Sequence, residues 1–136
     1  MVKRVEVVAG VIRCGQSVLC LQRNVNKFDY ISYKFEFPGG KVEHGEDYKA
    51  ALKRELFEEM DISVGVEKMN YLMTVNHQYP DFIIIMHTYV CEVGKIDYKL
   101  NEHVDAKWAT IDTIDALDWA GADIPIVEKL KVEGII

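Results

Sequence analysis

GKVEHGEDYKAALKRELFEEMDI, residues 40 to 62, is the stretch on which the reading of the whole chain turns. Its second half predicts a helix from about Tyr48 to Met60, since Ala50, Ala51, Leu52 and Leu56 are good helix formers and no proline interrupts them. Asp47 is the candidate N-cap, because an Asp side chain accepts from the amides two or three positions on. Glu55, Glu58 and Glu59 stand at i, i+3 and i+4 and therefore share a face. At about 100° per residue they span an arc of roughly 100°. Two turns earlier the same arc carries Tyr48, Ala51 and Leu52, while Lys49, Lys53 and Arg54 fall mostly on the other side. Three carboxylates within about one turn repel unless something positive sits among them. They form either a solvated acidic face or a divalent-cation site. Their continuation of the inward arc argues against simple solvation, and oxygen-only donors suit Mg²⁺ or Mn²⁺.

The chain has 136 residues, a length for one domain with a single core. Apolar residues make up 49% and charged residues 28%, the mixture of a soluble globular protein. The net charge of −6 disfavours nonspecific binding to nucleic acid or to an anionic membrane. An acidic protein that takes a polyanion such as a nucleotide needs a cation between them. Cys14, Cys20 and Cys91 are odd in number and lack paired metal-type spacing. With no signal peptide and an N-terminal apolar run interrupted by Glu6 and Arg13, they lead us to expect a cytoplasmic protein.

Outward from the central stretch, Val5–Ile12 is β-branched and nearly continuous in apolar residues, a buried strand. A turn at Gly15-Gln16-Ser17 joins it to Val18–Gln22 as a hairpin, ended by Arg23. Asn24 to Lys34 reads as a loop with accessible rings at Phe28, Tyr30 and Tyr33. Phe35–Phe37 is a short extended piece ended by Pro38-Gly39-Gly40. Val66–His77 and Phe82–Val93 are strand-like around a turn at Tyr79-Pro80-Asp81, and FIIIMHTYVCEV is apolar enough to lie centrally in a sheet. Val104–Thr110 contains another short strand, Asp112–Leu117 a short helix, and Ile124–Val132 the closing helix, with Pro125 tolerated in its first turn. Repeats and low-complexity tracts are absent. Hairpin strands with separated helices imply an α/β sandwich with a mixed sheet.

Gly40, Glu46, the run Arg54-Glu55-Leu56-Phe57-Glu58-Glu59 and Ile62 resemble the Nudix box at every position but one. Asp61 stands where the box has a glycine. FEFPGGKVE, NEHVDAKW and ADIPIVEKL extend the resemblance over most of the chain, which is similar to the MutT group and especially to its CTP-pyrophosphohydrolase-like members. The resemblance implies one Nudix α/β/α sandwich domain over residues 1–136. It implies that Glu55, Glu58 and Glu59 bind Mg²⁺ (Mn²⁺ as a substitute), helped by the Gly39 carbonyl. Glu102 falls where an acidic residue lies near the metals, although by itself it reads as an exposed loop glutamate. Arg54 would orient the neighbouring carboxylates, and Gly40 and Glu46 would support the loop–helix geometry. Asp61 bears on backbone shape alone, since that glycine serves a helix C-terminus with positive φ, which Asp tolerates at some cost.

The implied reaction is hydrolysis of a (deoxy)nucleoside triphosphate to monophosphate and pyrophosphate, on a pyrimidine (CTP-type) or oxidised (8-oxo-dGTP-type) nucleotide. Glu55 or Glu58 would help deprotonate the attacking water. Arg23, Glu36, Phe37 and Asp123 are the substrate-binding candidates. Arg23 would meet phosphate or base; Phe37 borders the base pocket in the family and is otherwise core. Asp123 reads either as N-cap of the last helix or as the reader of the base. A carboxylate there suits an exocyclic amino group such as cytosine N4, although guanine also offers donors. His44, His77, His87 and His103 show no ligand spacing and are taken as structural or surface residues. Expected partners are a small-molecule nucleotide, with neither nucleic acid nor membrane, in a monomer or homodimer. The competing readings are a nucleotide-sensing Nudix module without hydrolysis, disfavoured by the full set of box glutamates, and a Nudix hydrolase of another nucleoside diphosphate derivative.

Overall fold

Side chains alternate across a strand, so Val7, Ala9 and Val11 of β1 (Lys3–Cys14) face one side while Val8 and Ile12 face the other. Both sets are buried, and each belongs to its own apolar cluster. The strand must therefore be covered on both faces. In a computed structural model describing residues 2–136 it runs through the middle of a seven-stranded mixed sheet. β2 (Ser17–Gln22), β3 (Phe35–Glu36), β4 (Gly39–Lys41), β5 (Met69–Gln78), β6 (Phe82–Glu92) and β7 (Asp105–Ala109) complete it. The main path is β3-β2-β1-β6-β5, with β4 paired to β1 and β7 to β2. β1 and β6 are parallel and the other pairings antiparallel. As expected, FIIIMHTYVCE lies centrally, between β1 and β5.

Helix α1 (Tyr48–Met60) buries Ala51, Leu52, Leu56 and Met60 against Val8, Ile12, Leu19 and Leu21. Helix α2 (Ile124–Val132) buries Ile126, Val127 and Leu130 against Val7, Val11, Val18 and Cys20 on the opposite face. The result is the expected α/β/α sandwich. No helix among the described residues is long and apolar enough to cross a membrane.

Four local expectations change. Gly39-Gly40 does not merely end a strand: with Lys41 it forms β4, pairing Ala9 with Gly39 and Val7 with Lys41. Of the rings in the Asn24–Lys34 loop only Tyr33 is exposed; Phe28 and Tyr30 stack on each other and Tyr30 on Tyr79, closing over the first core cluster. Asp112–Leu117 yields only a 3₁₀ turn, Ile114–Ala116, and Val66–Lys68 is also 3₁₀ rather than strand.

Candidate active site

Both ends of α1 are built as its sequence predicts. Asp47 accepts from the amides of Lys49 and Ala50. Asp61 adopts φ 57°, ψ 28°, the left-handed conformation that the box glycine would supply, and its N–H bonds the Phe57 carbonyl. The last carbonyls of the helix take partners from a distant segment. Lys99 N–H bonds Met60 O at 3.0 Å, Asn101 N–H bonds Glu59 O at 3.0 Å, and Asn101 Nδ2 donates to Glu58 O at 2.8 Å. These bonds satisfy carbonyls that a helix end leaves open. They also bring Glu102 and His103 beside the acidic turn.

The three box glutamates do not share one environment, despite sharing a face. Glu59 is 3% exposed, Glu55 15% and Glu58 56%. Arg54 does not point away from them, as the wheel suggests; its Nη1 donates to Glu55 Oε1 at 2.8 Å and Glu58 Oε2 at 3.3 Å. Its Nε and Nη2 clamp Glu46 at 2.8 and 2.9 Å, and Nη2 also reaches Lys41 O at 3.0 Å. Thus Arg54 sits among the carboxylates and ties helix to loop. That clamp holds the Glu46 carboxyl down at about 2 and pushes the guanidinium higher still. Burial raises Glu55, with Arg54 opposing it. Burial, then the charges of Glu36, Glu55 and Glu102, push Glu59 up to about 9.

Gly39, Gly40, Glu55, Glu59 and Glu102 line one end of a cavity of about 690 Å³, with Glu102 at its exposed rim. A Cβ on Gly40 would overlap the Glu55 carboxyl group, and one on Gly39 would strike the Val8 carbonyl across the β1–β4 pairing. At Gly39 the obstacle is backbone, so glycine is needed there; at Gly40 a side chain would displace the Glu55 carboxyl group. The donor set suits a hard divalent cation: several carboxylates converge, and Oε1 of Glu59 is sealed from water with no hydrogen-bond partner. Among the described residues no three such groups already stand at coordinating spacing, and Arg54 occupies one oxygen each of Glu55 and Glu58.

Lys3, Arg23, Lys27 and Lys41 bring positive charge to the cavity walls, which matters in a protein of net charge −6. Arg23 Nη1 pairs with Glu36 Oε1 at 2.9 Å. A smaller cavity of about 110 Å³ continues inward past Phe37, Tyr79, Met86 and Asp123. Phe37 stacks on Trp119, with ring centroids 4.8 Å apart. Asp123 occupies the N-cap position of α2 but makes no capping bond. Its Oδ2 instead accepts from the Phe37 N–H at 2.9 Å, at 4% exposure. Complete burial, then the charge of Glu36, raises its carboxyl well above the usual range.

His103 is the residue that sequence reasoning missed. It is not a surface residue: its side chain is 5% exposed, bonded to Glu36 and close to Glu59. Its position next to Glu102 was the sole sequence signal. His44 is exposed, and His87 bonds Glu6 and Thr74 away from the cavity.

The chain is 27% identical over 129 residues to the 8-oxo-dGTP diphosphatase of Escherichia coli (strain K12), covering 95% of this chain and 98% of that one. It is 31% identical over 126 residues to the CTP pyrophosphohydrolase of the same organism, covering 93% and 90%. Its fold matches that of a MutT protein from Methanosarcina mazei Go1 with a TM-score of 0.83 at 24% identity, covering 98% and 96%. The class is that of hydrolases acting on acid anhydrides. Within it the chain belongs to the family of the NUDIX domain, whose model matches residues 3–130.

Proposed function

We propose that this protein hydrolyses (deoxy)nucleoside triphosphates to monophosphate and pyrophosphate with Mg²⁺, or Mn²⁺ in its place. The base would be a pyrimidine of the CTP type or an oxidised purine of the 8-oxo-dGTP type. The supporting observation is the pairing of two unlike ends in one cavity. Glu55, Glu59 and Glu102 line the main cavity, with Glu58 beside them on α1 and held by Arg54, while Arg23 lines both that cavity and the inner branch that holds the buried Asp123. A volume of about 690 Å³ lies in the range of small-molecule sites. The two curated relatives, named for 8-oxo-dGTP and CTP, point the same way.

A triphosphate carries about four negative charges, so the acidic mouth repels it unless divalent cations intervene; bound there, they neutralise the phosphate chain and the charge that develops on it. Glu55, Glu58, Glu59 and Glu102 would hold those cations, with the Gly39 backbone beside them. Arg54 bridges Glu55 and Glu58 and so aims both. Glu55 lines the cavity, and burial raises its affinity for a proton, so it is the better placed of the two to take one from the attacking water. Water oxygen bonds to phosphorus as a bridging P–O bond breaks, and pyrophosphate leaves. Arg23 offers a cation to phosphate or base. Asp123, whose carboxyl burial biases toward the protonated form, would offer its free oxygen to a base edge.

A panel of canonical, methylated and oxidised (d)NTPs with Mg²⁺ tests this, scored for pyrophosphate against phosphate. Pyrophosphate release from a CTP-type or 8-oxo-dGTP-type member is the expected result, reduced at least 100-fold in Glu58→Gln. Release from no triphosphate would leave a sensing role or a different diphosphate substrate, and undiminished turnover in Glu58→Gln would remove that residue from the machinery.

A further inference from the structure

We propose that His103 is a positioning residue: it fixes the Glu59 carboxylate and links it, through Glu36, to Arg23. This rests on the reading above of Glu59 as a cation ligand. His103 Nε2 lies 2.8 Å from Glu36 Oε2, and the other oxygen of Glu36 accepts from Arg23 Nη1 at 2.9 Å. The second ring nitrogen, Nδ1, stands 3.4 Å from Glu59 Oε2. Among the described residues neither Nδ1 nor Glu59 Oε1 has a hydrogen-bond partner, and both atoms are closed to water. An unpaired buried polar atom is costly, so two of them on neighbouring residues that line one cavity mark a place completed by something else.

The line Arg23–Glu36–His103–Glu59 joins side chains from four separate parts of the chain: the end of β2, β3, the segment before β7, and α1. An imidazole bonded through one nitrogen has its ring plane set, so the other nitrogen presents a fixed edge to its neighbour. The backbone holds the ring from both sides: Asn101 N–H bonds Glu59 O, and Val104 N–H bonds Gln22 O at 3.0 Å. Glu59 Oε1 makes no hydrogen bond among the described residues, so the His103 edge beside Oε2 is what borders its carboxyl group on that side. His103 therefore keeps the Glu59 carboxyl group aimed, and it ties that aim to Arg23 in the cavity wall.

The test is Mn²⁺ titration of the nucleotide-free protein by electron paramagnetic resonance, comparing wild type with His103→Ala, His103→Leu and His103→Gln. Thermal midpoints in chelator report whether each variant folds. Removal of a group that orients a ligand typically weakens metal affinity about 10- to 100-fold, and that loss is expected for Ala and equally for Leu. Gln, which can still bond Glu36, is expected to recover most of it. If Ala does not fold, Leu against Gln carries the comparison. A Leu variant with wild-type affinity would reduce His103 to packing, and so would Gln no better than Leu; either overturns the proposal while leaving Glu59 a ligand. Wild-type protein that takes up no Mn²⁺ would overturn the ligand reading and this inference together.

Discussion

Asp123 shows how one residue can hold the right place for one role and perform another. Position and type suit an N-cap, yet the carboxylate turns inward to the Phe37 amide, where it orders the floor of the inner cavity. Its folded pKa is raised, so between about pH 4 and that raised value the folded state holds a proton that the unfolded state has released. Stability then falls as pH rises through this window. Asp123→Asn keeps an acceptor for Phe37 and removes the titration. The variant is expected to match wild type near pH 4.5 and to be the more stable at pH 8, so that the two thermal midpoints diverge as pH rises. Parallel melting curves across that pH range would show that Asp123 does not titrate in this way. The base-reading candidates were legible as residues; the direction in which Asp123 points was not.

At the scale of elements, α1 owes its start to its own sequence and its finish to another segment. Asp47, the helix formers and the left-handed Asp61 are local, and each behaves as its type dictates. The Asn101 side chain, by contrast, closes the helix from forty residues away, bonding Glu58 O and, at 3.2 Å, Asp61 Oδ1. We expect Asn101→Ala to cost about 1 kcal/mol, the worth of a lost hydrogen bond, and to lower turnover more than that cost in stability alone accounts for, because Glu102 and His103 follow directly in the chain. Thermal melts and steady-state kinetics on the same preparation check this. Wild-type turnover would mean that the two backbone bonds suffice to dock the segment. Nothing in the sequence marks Asn101 as a cap, since capping patterns are read within a turn or so of the helix.

For the molecule as a whole, a net charge of −6 disfavours a polyanionic ligand, and the buried Glu59 with Glu55 and Glu102 adds acidic groups to the cavity lining itself. A ligand that binds only the folded state adds stability by mass action, about 2.7 kcal/mol at a hundred times its dissociation constant. Mg²⁺ or Mn²⁺ is therefore expected to raise the thermal midpoint by several degrees, with chelator reversing it. A nucleoside triphosphate given without divalent cation is expected to add little. Equal protection by the nucleotide with and without the cation, in scanning fluorimetry, would contradict the view that charge neutralisation governs entry. Cys20 and Cys91, buried thiols pushed up to about 12, take no part in any of this.

By itself the sequence determined what depends on near neighbours. This includes the helix with both its caps, the strand and hairpin pattern, the spacing of Glu55, Glu58 and Glu59, and with these the family. Interactions that repeat within about four residues leave a period or a motif that can be read along the chain. Tertiary structure alone decided that Gly39–Lys41 is a strand, that Phe28 and Tyr30 are packed, and that Arg54 sits among the acids. It also set Asp123 against Phe37, 86 positions away, and His103 between Glu59 and a Glu36 that lies 67 positions away. Contacts at such separations are made by the sheet order, which brings β3, α1 and the segment before β7 to one end of the sandwich, and they leave no spacing in the sequence from which to infer them.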